Sequence, residues 1–188
     1  SKLMESIREK AVKLNRRIVL PEGEDTRNVH AAAEATRLGI ARITLIGNEA
    51  RIRSLYPDVD LTGIEIVDPE TSPKLDEYAK LLYELRKAKG MTEEQAYETA
   101  KTKPLFFGAL MCKADDADGM VSGAVHTTGD VLRAALQVLK TAPGIRSASS
   151  VFIMTLPEGS EGAKYGQNGV LVYGDCGVIP NPTSEQLV

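Results

Sequence analysis

The stretch Asp118-Gly119-Met120-Val121-Ser122-Gly123-Ala124-Val125-His126-Thr127-Thr128-Gly129-Asp130-Val131-Leu132-Arg133 decides the fold of this chain. Asp118 to Gly123 reads as a strand ending in a tight turn, and a helix follows from about Thr128 to Lys140. A strand feeding a helix puts the connecting loop at the carboxyl end of a parallel sheet, the edge at which open α/β sheets bind ligands. Gly123 and Gly129 let the backbone come close to a ligand. Thr127 and Thr128 offer hydroxyls, and the helix start offers unpaired N–H groups and the positive end of its dipole. Arg133 stands one to two turns into the helix. Helical side chains lean toward the N-terminus, so its planar guanidinium reaches back toward an anion bound there and can grip a phosphate with two hydrogen bonds. His126 offers a base or an anion donor. The competing reading is purely local. It makes Thr127 to Asp130 a capping box, pairs Arg133 with Asp130 at a three-residue spacing, and leaves His126 a loop histidine with a local hydrogen bond. The stretch lacks the GxxxxGK of a P-loop and is not a dinucleotide fingerprint.

Upstream, strands and helices alternate. Leu3, Ile7, Ala11 and Leu14 share one face of a short amphipathic helix. Arg17 to Pro21 reads as a buried strand closed by proline, and Asp25 or Thr26 caps the helix after it. Ile43 to Gly47 and Ile64 to Val67 are further strands, with a helix from about Glu49 to Tyr56 between them. A long helix, roughly Lys74 to Lys89, turns Leu75, Tyr78, Leu82 and Leu85 inward and stops at Gly90. Thr92 to Gln95 has the form of a capping box. Pro104 suits the first turn of the next helix, whose content, Leu105 to Cys112, is apolar nearly all round and so expected to be buried. The fold class predicted is α/β, a mostly parallel sheet with helices on both faces.

Thr141-Ala142-Pro143-Gly144 is the boundary the punctuation suggests. It divides the chain into a first α/β domain, 1–143, and the beginning of a second, 144–188. Val151 to Leu156 and Val170 to Tyr173 read as two strands of a hairpin around a glycine-rich loop. From Pro180 the chain reads as a loop running into a helix cap, and only about one turn follows it, too short for a stable helix. The expectation is therefore a C-terminally truncated piece of a longer protein.

Composition excludes several classes. With 43% hydrophobic and 26% charged residues, the chain has an ordinary globular balance. Its net charge of -3 argues against a nucleic-acid partner, which favours a basic surface. No apolar run approaches the roughly 20 residues of a membrane span, the N-terminus is not a secretory signal, and a cytoplasmic setting is expected. Cys112 and Cys176 form no CxxC pair and are expected as free thiols. Two histidines, His30 and His126, make a zinc site improbable.

Other candidates are single residues. Arg86 adjoins the inner face of its helix beside Leu82 and Leu85, as a ligand arginine or as a solvated one among Lys87 and Lys89. Asp175 follows a strand and Asn181 lies in the loop beyond; each orients a ligand or stabilises a turn. Cys112 is expected to fill core space, and His30 has no assigned role.

Three motifs then become familiar: Leu20-Pro21-Glu22-Gly23-Glu24-Asp25-Thr26-Arg27, the Asp118–Thr128 stretch with Arg133, and Asp175-Cys176-Gly177-Val178-Ile179-Pro180-Asn181-Pro182-Thr183. In order and spacing the chain resembles the phosphate acetyl/butyryl transferase family along essentially its whole length. The resemblance implies two α/β domains around a cleft, commonly in a homodimer, and reversible acetyl transfer between CoA and phosphate, with a place in acetate metabolism. CoA, acetyl-CoA, phosphate and acetyl phosphate are the implied partners, without prosthetic group, membrane or nucleic acid. It implies that Arg133 binds the phosphate end of an acyl phosphate, assisted by the loop from Ser122 through Gly123, His126 and Thr127 to Thr128. Arg86 matches a family arginine for CoA or phosphate, and Thr155 lies near the expected cleft. The family's Ser-Arg-Gly segment and nearby Asp fall beyond Val188, so no catalytic residue is assigned within the chain and little activity is expected of it alone. A cysteine that some relatives carry between Pro157 and Gly169 is absent. Alternatives are a butyryl-transferring relative, a non-catalytic acetyl-CoA sensor like the domain fused to some malic enzymes, and an unrelated Rossmann-like redox protein. The missing GxGxxG after the first strand argues against the last.

Overall fold

The computed structural model describes residues 2–175 and 177–187, the last without its side chain. Cys176, expected as a free thiol, lies outside the described residues. The chain divides into two compact units, Arg8–Lys140 and a second formed by Ser1–Ile7 with Thr141–Val188.

In chain order the elements begin with α1 (Lys2–Leu14), β1 (Arg17–Leu20), α2 (Thr26–Arg37), β2 (Arg42–Ile46), α3 (Glu49–Leu55) and β3 (Glu65–Val67). Next come α4 (Leu75–Arg86), a 3-10 turn at Lys87–Lys89, α5 (Glu93–Thr102), α6 (Pro104–Lys113), β4 (Gly119–Met120) and α7 (Thr128–Val138). All four strands are parallel, in the order β3-β2-β1-β4. From β1 the chain winds outward through β2 to β3, then crosses back to the other side of β1. The reversal between β1 and β4 is the topological switch point of the sheet.

Strand alternation sorts the side chains into two cores, because successive residues face opposite sides. Leu20, Ile43 and Leu45 pack with Val29, Ala32 and Ile52 of α2 and α3. Val19 and Ile46 pack with Tyr78, Leu82, Phe107, Leu110 and Val138 of α4, α6 and α7. The sheet is thus covered on both faces, as expected. Within α6, Leu105 to Met111 are all buried. A Cβ at Gly108 would lie 2.9 Å from Met120 Sδ and 3.2 Å from Val19, so glycine there lets the helix lie directly on β1 and β4.

Local signals act as their chemistry dictates. Asp25 caps α2, and Thr92 with Gln95 forms the capping box of α5. Gly90 ends the α4 run with φ +86°. Two differences stand out. Of the expected strand Asp118–Gly123, Gly119 and Met120 lie in register with β1, and the N–H groups of Asp118 and Val121 donate to Arg17 O and Val19 O at either end. β4 is an edge strand, and beyond it the chain turns away to meet Glu22. The amphipathic α1 forms, yet none of its residues is buried, with Ile7 44% and Leu14 60% exposed. Its apolar stripe is real in sequence but finds no core.

In the second unit, β5 (Val151–Thr155) and β6 (Val170–Gly174) pair antiparallel, Val151 opposite Gly174 and Thr155 opposite Val170. A 3-10 turn at Glu161–Lys164 lies between them, and α8 (Ser184–Leu187) is one turn long. Asp175 Oδ1 accepts from the backbone N and the Oγ of Ser150, both at 3.1 Å, which ties the open end of the hairpin. No described helix is long and apolar enough to cross a membrane.

Candidate active site

The loops after β1 and β4 meet at the switch point through one side chain. Glu22 directly follows the proline that closes β1, is only 6% exposed, and projects into the turn after β4. Its Oε2 accepts the N–H groups of Gly123 and Ala124 at 3.1 and 2.9 Å. Its Oε1 accepts those of Val125 and His126 at 2.9 and 2.8 Å, and lies 2.9 Å from His126 Nδ1. Four successive amides converging on an anion form a nest. Burial alone would push the Glu22 carboxyl up. The amides of His126, Val125 and Ala124 and the His126 ring outweigh it and hold the group well below the usual carboxylate range.

This narrows the role the sequence suggested for the loop. The amides of Gly123 and His126 already serve an internal carboxylate, so an external anion cannot use them while Glu22 is in place. Gly123 takes φ +117° to make the turn, a conformation suited to glycine. The His126 ring meets Glu22, 104 residues earlier, rather than a local partner. Ser122 Oγ is buried without a hydrogen-bond partner among the described residues.

A second tie comes from Arg27. Asp25 holds its guanidinium by Nε and NH2, each at 2.9 Å, and NH2 also donates to the carbonyl of Ala124 at 2.5 Å. Ala124 is therefore gripped at both its N–H and its C=O by the segment after β1. Gly23 makes that segment possible: its N–H donates to Ile46 O at 3.1 Å, and a Cβ there would lie 2.5 Å from the same oxygen.

Beyond His126, Thr127 is the N-cap of α7. Its hydroxyl accepts from Asp130 N at 3.2 Å and Asp130 Oδ2 accepts from Thr127 N at 3.3 Å in return, completing a capping box, and the hydroxyl also donates to Asp130 Oδ2 at 2.7 Å. Thr128, the first residue of α7, is exposed. Arg133 NH1 donates to Asp130 Oδ1 at 3.0 Å, and its side chain is 62% exposed. The capping box and the Arg133–Asp130 pair of the local reading are thus present in this structure, with the guanidinium still open to solvent.

Two clefts flank the loop. One, of about 590 Å³, runs over the carboxyl ends of β1 to β3 and is lined by Glu22, Gly47, Arg51, Asp68, Lys101 and His126 among others. The other, of about 460 Å³, lies beside α7, where His126, Asp130, Arg133, Lys103, Thr102 and Gln137 face it. Thr102, Pro104 and His126 line both. Of the residues singled out from sequence, His126 and Arg133 come together at the α7 cleft. Arg86 ends α4, its Nε buried without a partner among the described residues. Arg86 does not line that cleft, but Met91, whose N–H donates to Arg86 O at 3.4 Å, does. Thr155 is the exposed last residue of β5, in the other unit. Lys101, Thr102 and Lys103 were not foreseen, since the end of α5 carries no motif. Glu22 stands in a motif that was recognised, yet nothing local reveals a partner 104 residues away. Among the described residues no cluster of three or more His, Cys, Asp or Glu is placed to hold a metal ion.

Fold and site define an α/β domain whose cleft lies at the switch point of a parallel sheet. The profile of the family described as Phosphate acetyl/butaryl transferase matches residues 2–188, and the chain belongs to that family. It is 50% identical over 184 residues to a phosphate acetyltransferase of Acetivibrio thermocellus, covering 98% of this chain and 54% of that protein. Against a phosphate acetyltransferase of Clostridium acetobutylicum it is 46% identical over 187 residues, covering 98% and 55%. A phosphotransacetylase structure from Streptococcus pyogenes superposes with a TM-score of 0.87 at 34% identity, over 99% of this chain and 54% of that one. The chain spans about half the length of these relatives.

Proposed function

We propose that these residues form part of a phosphate acetyltransferase, which moves an acetyl group reversibly between CoA and inorganic phosphate. The 50% identity to a protein of that name carries the reading, and the cleft beside α7 agrees with it. In the direction of acetyl-CoA formation, the CoA thiolate attacks the carbonyl carbon of acetyl phosphate. A C–S bond forms, the bond from that carbon to the phosphate oxygen breaks, and phosphate leaves with the electron pair. The thiol proton passes to a base, for which no residue of these 188 is proposed. The task of these residues is charge: Arg133, with Lys103 nearby and the start of α7, neutralises the phosphate as it accumulates charge. One well-placed donor of this kind contributes about 3 kcal/mol. Ser122 and Thr128 belong to the same proposed substrate surface, Arg86 is proposed as a CoA or phosphate ligand, and a cytoplasmic homodimer belongs to the same proposal. Little turnover is expected of the 188 residues alone.

The test is acetyl-CoA formation from acetyl phosphate and CoA, measured for this chain and for the full gene product that carries it. Activity in the full product that falls at least about tenfold in Arg133→Ala supports the reading. Acetyl-CoA binding without turnover in the full product would favour the sensor alternative.

A further inference from the structure

We propose that Glu22 and Arg27 together are positioning residues for the acyl transfer: they hold the Gly123–His126 loop in the shape that delivers the start of α7, with Thr127 and Arg133, to the phosphate of the substrate. The inference rests on the acetyltransferase reading.

The loop after β4 aims the N–H groups of Gly123, Ala124, Val125 and His126 inward at Glu22. Four successive N–H groups turn toward one point and require an acceptor there. In many anion-binding loops that acceptor is the ligand; here it is the carboxylate of Glu22, whose side chain is only 2% exposed. Both carboxylate oxygens are engaged. Glu22 therefore acts through the loop and does not contact the reacting atoms. Its backbone is fixed in turn: Asn28 Nδ2 donates to Glu22 O at 2.9 Å, and Gly23 N–H is bound to the last carbonyl of β2. Arg27 adds the grip on the Ala124 carbonyl from the first turn of α2.

Only the cap residue Thr127 separates the clamped His126 from α7. A shift of the loop thus moves the cap, the helix start and the rim of the cleft that Arg133 lines. The two sequence motifs around Glu22 and His126 become one device, built across the point where the sheet reverses direction. An internal anion keeps the loop formed without substrate, so the site does not have to be ordered when phosphate arrives.

The experiment uses the full gene product as wild type, Glu22→Gln and Arg27→Ala, each assayed below its unfolding temperature. The readouts are kcat and the separate KM values for acetyl phosphate and for CoA. Glu22→Gln is expected to raise the KM for acetyl phosphate by about tenfold or more, while the KM for CoA stays within about twofold. Arg27→Ala is expected to move the same constant in the same direction by about threefold. Its side chain is 64% exposed, so this variant retains the fold and decides the matter if Glu22→Gln does not fold. A lower kcat with both KM values unchanged is the mark of a smaller folded fraction and would overturn the inference, as would equal movement of both constants. A wild-type protein without acetyl transfer would instead remove the reading on which the inference rests.

Discussion

Replacing Glu22 by glutamine removes one acceptor oxygen and changes little else. If the remaining carbonyl oxygen faces Val125 and His126, the new NH2 group confronts the N–H groups of Gly123 and Ala124, donor against donor. Two hydrogen bonds of 3.1 and 2.9 Å are lost, together with the charge that strengthened all four. A buried donor left unmade costs about 1–3 kcal/mol. Gly123 is exposed and Ala124 half-buried, so water recovers part of that. The expected loss for the Arg8–Lys140 unit is about 2–4 kcal/mol. With a urea slope of about 2 kcal/mol per molar, the midpoint falls by about 1–2 M. The effect has a definite pH signature. The folded-state pKa of Glu22 is depressed below an unfolded value of about 4.3, so its stabilisation is fully present above that value and is lost as pH falls toward the folded pKa. The charged and polar groups around it are His126, Arg27 and Asn28. Urea melts of wild type and Glu22→Gln should therefore differ fully at pH 7 and converge below about pH 4. A midpoint difference under about 0.3 M at pH 7, or one that grows on acidification, would refute the view that this carboxylate anchors the loop.

Gly23→Ala sets a Cβ against a backbone carbonyl that cannot move aside, and urea melts should show a loss of about 1–3 kcal/mol; an unchanged midpoint would show that the close approach is not required. Thr127→Ala removes the cap and the hydroxyl bond to Asp130, with an expected loss of about 1 kcal/mol, while Thr127→Ser should restore most of it. Burial pushes the Cys112 thiol up, so peptide-resolved mass spectrometry at neutral pH should find Cys112 alkylated far more slowly in the folded chain than in urea.

What was legible in the sequence is what depends on near neighbours. Arg17 to Leu20 and Ile43 to Ile46 read as strands because short apolar runs with β-branched residues fit a covered sheet. Thr92-Glu93-Glu94-Gln95 and Thr127-Thr128-Gly129-Asp130 read as helix starts because each capping box is closed within three residues. The length of β4 was overestimated for the opposite reason. Val121 still donates to Val19 O of β1, but among the described residues β4 has a neighbour on one side only, and from Gly123 on the amides turn to the Glu22 carboxylate instead of continuing the ladder. The stripe on α1 illustrates the same limit, since amphipathic spacing says which face is apolar and not whether anything covers it.

The candidate site was legible as a place and less so as chemistry. Glycines, threonines and an arginine at a strand-to-helix turn are the composition of an anion site, and the cleft with Arg133 lies there. The amides, though, bind a glutamate from a loop about one hundred residues earlier, and that pairing exists only because β4 returns to lie beside β1. Its presence constrains where an external anion could sit. An anion seated on the same amides would meet a carboxylate at contact distance, a repulsion of about 4 kcal/mol per pair of unit charges near a protein surface, and would strip Glu22 of its hydrogen bonds. The face of the loop toward α7 carries no such cost, because Arg133 and Lys103 line that cleft and the helix dipole favours negative charge there. Among the described residues lining that cleft Asp130 is the one carboxylate, and it already holds Arg133. An anion arriving at the start of α7, as proposed for phosphate, would therefore exchange with a surface ion pair, which is weakly held, rather than with a buried anion held by four amides.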